Sequence, residues 1–152
     1  ITTKHRIDLT FHKLEKKINK VIDEYDKNKG MTIGLSKDLG IITHYIADYF
    51  TFPHNIEYPG TMTEHIHYEA QLKVDFREFV KKMKEKHAHF QEVNMQSADE
   101  ICTFIRKCHE EYLHAVKSVE NDCRYILQIC AQVVGAILHL LQQNSMPLGC
   151  YM

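Results

Sequence analysis

Apolar residues recur three and four positions apart along most of the chain, the spacing of a helix face, and no stretch alternates as a half-buried strand would. Over residues 8–27, Phe11, Leu14, Ile18, Val21, Ile22 and Tyr25 fall on one stripe opposite lysines and acids, which predicts an amphipathic surface helix. A second helix is expected from Ser36, a good N-cap residue, to Phe52, with Pro53 stopping it. Leu39, Ile42, Ile46 and Tyr49 form one of its faces and His44, Tyr45, Asp48 and Phe52 another, so both are read as buried, with a polar pair inside. A third helix is expected from Thr61 or Thr63 to about Lys86, with Tyr68, Leu72, Phe76, Phe79, Val80 and Met83 inward and the charged residues 81–86 as a solvated face. Ser97 and Glu100 make a capping-box pattern that opens a fourth, whose stripe runs through Ile101, Phe104, Ile105, Cys108, Tyr112, Val116 and Val119. The fifth covers residues 121–143, and Pro147 and Gly149 end the order. The prediction is an all-α chain, a single compact helical bundle of about five helices forming one domain over residues 1–152.

Composition narrows the function. With 19 basic against 20 acidic side chains, a net charge of −1 and a pI near 6.9, the chain lacks the basic footprint that duplex nucleic acid requires. The apolar run at 129–141 is interrupted by Gln132 and His139 and falls short of the ~20 residues that cross a bilayer, so it reads as a core helix and no transmembrane segment is expected. Cys102, Cys108, Cys123, Cys130 and Cys150 form no C-x-x-C pair, which fits free thiols in a reducing compartment and makes zinc-thiolate binding a poor expectation. A cytoplasmic location is therefore expected over a secreted one. Nothing in the sequence sets an oligomeric state.

The count of 11 histidines asks for chemistry. His44 and Asp48 are four apart on one expected helix, and His65 and Glu69 repeat that spacing on the next, so each pair projects from one side of its helix. His54 follows Pro53 in the connection between them. Zinc takes imidazole nitrogen and carboxylate oxygen at ~2.0–2.2 Å, and a carboxylate can also bridge two ions, which makes Asp48 the bridging candidate. His12, His87, His89 and His139 read as ordinary surface or hydrogen-bonded histidines, and His67, two residues from His65, points elsewhere. Tyr45, Tyr49, Phe50 and Phe52 read as core aromatics before they read as a quaternary-ammonium pocket.

His44, Asp48, His54, His65 and Glu69, with the segment H-Y-I-A-D-Y-F-T-F-P-H-N, resemble the bacterial zinc-dependent phospholipase C family, and I-T-T-K-H is similar to an upstream segment that nominates His5. The resemblance covers about half the chain. It implies an all-helical fold and up to three zinc ions, with His54, His65 and Glu69 holding one, and His5, His44 and Asp48 belonging to a second. Asp48 would also reach a third ion and is the catalytic candidate. Further ligands that the family places upstream have no match, so one or two ions and an N-terminally incomplete domain are expected. The implied function is a phosphodiester hydrolase of phospholipase C type, with metal-activated water attacking a phospholipid headgroup phosphodiester. The alternatives are a single-strand-specific zinc nuclease, a di-iron protein using Glu64 with His67 and Glu111 with His114, and a non-catalytic or truncated metal-binding helical domain.

Overall fold

The computed structural model describes residues 2–55 and 60–144. Its helices are α1 (Thr3–Asp23), α2 (Ile33–Tyr49), α3 (Phe52–Asn55), α4 (Met62–Glu85), α5 (Ala98–His114) and α6 (Val119–Asn144), with no strand among the described residues. Six helices thus stand among the described residues where about five were expected. The extra one arises because proline is compatible with a first helical turn, where its missing N–H has no partner to lose. Pro53 therefore helps to open α3 as well as ending what precedes it.

Each of the expected helices has a local cause. Thr2 accepts the amide of His5 and starts α1 earlier than its stripe indicates. Thr32, not Ser36, caps α2, because its Oγ1 accepts the Leu35 amide at 3.0 Å. The full capping box of Thr61 and Glu64 sets the start of α4. At the other end of α4, His87 takes the left-handed conformation, φ 49°, while its amide reaches Lys84 and that of Ala88 reaches Met83, a Schellman termination. Ser97 caps α5, but Glu100 reaches back to the amide of Gln96 instead of closing a box on Ser97. That helix ends at extended Ala115, which throws Val116 off the expected stripe and leaves it 76% exposed.

The core gathers around α6, which packs against α1, α2, α4 and α5. Ile126, Ile129, Val133, Ile137, Leu140 and Leu141 are buried along it, each contributing ~1.5–3 kcal/mol by leaving water. By length and composition α6 would also suffice to cross a membrane. Phe11, Leu14, Ile18 and Val21 of α1 and Ile42 and Ile46 of α2 close the same core. Tyr49 is buried, and so is Phe50, which stacks on Tyr125 and meets Tyr112 edge-on. These two are core aromatics. The expected buried polar pair on α2 is corrected: Ile42, Ile46 and Tyr49 take the inward face, so His44, two residues from both isoleucines, points out with 71% of its side chain exposed. Pro147, Gly149 and Cys150 lie outside the described residues.

Candidate metal centre

The capping box fixes the first turn of α4, with Thr61 Oγ1 accepting the Glu64 amide at 3.2 Å and Glu64 Oε2 accepting the Thr61 amide at 2.7 Å. His65 and Glu69 then emerge one turn apart on the same side. His54 approaches from α3. Its Nε2 lies 2.8 Å from Glu69 Oε1, and Nε2 of His65 lies 3.2 Å from the same oxygen. One ligating atom from each of the three residues falls within 4.8 Å of the others. Burial works to raise the Glu69 pKa, but the hydrogen bonds and charge of His54, then of His65, together outweigh it and hold the carboxyl below its ordinary value.

Nδ1 of His54 lies 3.1 Å from the Asp48 carbonyl, an acceptor only, so the ring's Nδ1 carries a proton and Nε2 is aimed at the cluster. Asp48 thereby serves the cluster through its backbone. Its carboxylate turns to His44, with Oδ2 3.4 Å from Nε2. His5 is exposed in the first turn of α1, where its amide is held by Thr2. The structure gathers His54, His65 and Glu69 in one group, pairs His44 with Asp48, and places His5 in neither.

Other histidines and thiols contribute no further donor set among the described residues. His12, His67, His87, His89 and His139 are exposed, and so are Glu64, Glu111 and His114 of the di-iron pattern. Burial pushes the Cys102, Cys108 and Cys123 thiols up to about 11 and that of Cys130 up to about 12, which keeps them protonated.

Two buried groups that the sequence did not single out hold α3 in place. Asn55 donates to the carbonyls of Tyr49 at 2.9 Å and Thr51 at 2.8 Å, which turns its Oδ1 to accept from Nε2 of His109 on α5. His109 stacks on Tyr49 with ring centroids 3.7 Å apart. On the other side Asp122 of α6 accepts the Phe52 amide and the Tyr68 hydroxyl, each at 2.8 Å, and the Tyr112 hydroxyl at 2.7 Å. Phe52 opens the helix that carries His54, and Tyr68 neighbours Glu69. One carboxylate thus ties together the two elements that supply the donors.

Burial, working against a hydrogen bond that the ring donates to the Tyr49 carbonyl, pushes the His109 pKa down from 6.5 to about 4. A base with a depressed folded pKa contributes stability that is complete above its unfolded pKa and is lost as pH falls through the window between the two. Relative to His109→Gln, the wild type is expected to lose roughly 3 kcal/mol between pH 6.5 and about 4. Thermal unfolding of both proteins across that range checks this, and parallel curves would refute it.

The donor set suits zinc. Two imidazole nitrogens and one carboxylate oxygen are the kind of three-donor set that tetrahedral catalytic zinc sites use. No curated protein and no solved structure matches the chain. Residues 1–121, a span that includes all of these donors, match the family described as zinc dependent phospholipase C, and the chain belongs to that family.

Proposed function

We propose that the protein is a zinc-dependent hydrolase of phospholipid headgroup phosphodiesters. The observation that carries this reading is the convergence of His54 and His65 on one oxygen of Glu69 in a chain of the zinc-dependent phospholipase C family. His54, His65 and Glu69 would hold one ion. His44 and Asp48, with His5, would contribute to a second, and Asp48 would act as the carboxylate shared between ions. Zinc bound there supplies Lewis-acid polarisation of a phosphoryl oxygen and makes water acidic enough to react near neutral pH. The chain's own part is geometric. The Asp48 carbonyl holds the His54 ring in the tautomer that keeps Nε2 towards the cluster, and Asp122 keeps α3 and α4 at a fixed separation, so the donors need little rearrangement when substrate arrives.

Zinc content and turnover of the purified protein test the reading. One or two tightly held ions are expected, with hydrolysis of a water-soluble phosphocholine diester that a chelator abolishes and zinc restores. Faster cleavage of single-stranded DNA than of the diester would favour a nuclease instead. Tight zinc with no turnover of either substrate would leave a non-catalytic metal-binding domain.

A further inference from the structure

We propose that the face of α4 beside the metal centre docks the protein onto a bilayer carrying anionic lipid, a reading that takes from the phospholipid assignment only the idea that substrate lies in a membrane. Met62, Ile66, Lys73, Arg77 and Lys84 are spaced by four, seven, four and seven residues, which places them on a single stripe of an α-helix, and all five are exposed. The stripe has two chemistries in order. At the N-terminal end Met62 is 73% and Ile66 56% exposed, one turn apart. Beyond them come three cations, none in an ion pair with a described residue.

Of the acids of α4 only Glu69, held by His54 and His65, falls on the stripe. Glu64 is engaged in the capping box, Asp75 accepts from Gln71, and Glu78 and Glu85 fall off the stripe by spacing. The inward face, about a third of a turn round the helix, is occupied by Tyr68, Leu72, Phe76 and Phe79, which pack on the core. Apart from Glu69 at the metal centre, the stripe is therefore apolar then basic, the sequence of contacts that a membrane surface accepts: apolar side chains enter the headgroup boundary and cations meet anionic phosphates.

Position supports the same occupant. Ile66 adjoins the donor His65, and Glu69 lies between Ile66 and Lys73 on the same helix. A bilayer seated on the stripe would bring headgroup phosphates to the level of the donors. A soluble partner would gain nothing from that adjacency.

Sedimentation of the zinc-loaded protein with phosphatidylcholine vesicles, with and without phosphatidylserine, tests the docking. Binding is expected to strengthen with the anionic lipid and to weaken with salt. Each near-surface cation is worth a factor of about five, so Lys73→Gln with Arg77→Gln is expected to weaken binding about 25-fold. Met62→Ser with Ile66→Ser is expected to weaken it about tenfold, whereas Lys82→Gln, off the stripe, costs no more than about twofold. Turnover of a water-soluble diester is expected to be unchanged in all three variants. Equal binding to neutral and anionic vesicles, wild-type binding by both stripe variants, or binding to single-stranded nucleic acid in place of vesicles would overturn the proposal. If the soluble diester is not hydrolysed at all, the hydrolase reading fails, while the vesicle result still decides the docking.

Discussion

Replacing Glu69 with glutamine is expected to lower zinc affinity by more than about 100-fold and to remove metal-dependent turnover. Loss of a partner that only orients a ligand already costs about 10- to 100-fold, and Glu69 supplies the oxygen on which both imidazoles converge. Glutamine keeps the shape and removes the charge, so the variant separates ligation from packing. Because the Glu69 side chain is 43% exposed, the folded state is expected to survive, with an unfolding midpoint within a few degrees of wild type. Competition with a chromophoric chelator measures the affinity. A change smaller than about threefold would remove Glu69 from the metal site.

The second large effect is expected deep in the bundle, at Asp122→Ala. The Phe52 amide and the Tyr68 and Tyr112 hydroxyls each lose this hydrogen bond, and each such bond removed from a buried or half-buried group costs about 1–3 kcal/mol. A loss of about 3–5 kcal/mol in denaturant unfolding is expected, allowing for partial rescue by water. Zinc affinity should fall with it, because the same substitution releases the start of α3 and the turn of α4 beside Glu69.

Asp122→Asn separates charge from geometry. Its carbonyl oxygen can retain the Phe52 and Tyr68 bonds, and the Tyr112 hydroxyl can turn to accept from the amide. Burial raises the Asp122 pKa above the ordinary 3.8, outweighing the hydrogen bonds from Phe52, Tyr112 and Tyr68 and the charge of Lys117. A carboxyl with a raised folded pKa contributes stability that is complete below 3.8 and is lost as pH rises through the folded value. Wild type is therefore expected to lose stability relative to Asp122→Asn as pH rises through that window, the opposite sign to the comparison at His109. Equal slopes for the two proteins would contradict the assignment.

The approach of His65 to Glu69 was legible in the sequence because helical spacing is local. Four residues separate His65 from Glu69, and that alone puts them on one side of α4. The start of α4 reads only as Thr61 or Thr63, although the Thr61–Glu64 capping box that decides it also lies within four residues. Asp122 was not legible, because its three partners stand 70, 54 and 10 residues away, and in sequence it is only an acid near a helix start. His109 was hidden likewise between Cys108 and Glu110, although the polar residue His109 falls three before Tyr112 on a buried stripe, which is the one signal available. The inward placement of His44 failed for a different reason. Both faces of α2 carry apolar residues, and periodicity alone does not say which of two such faces the bundle covers.

A helix of four residues, such as α3, is too short to hold its own shape in water. Its conformation is borrowed from α2, α5 and α6 through Asn55, His109 and Asp122. The consequence is an expected order of events on warming: the arm bearing His54 detaches while the long helices persist, so the cluster of His54, His65 and Glu69 comes apart at a lower temperature than the bundle that surrounds it.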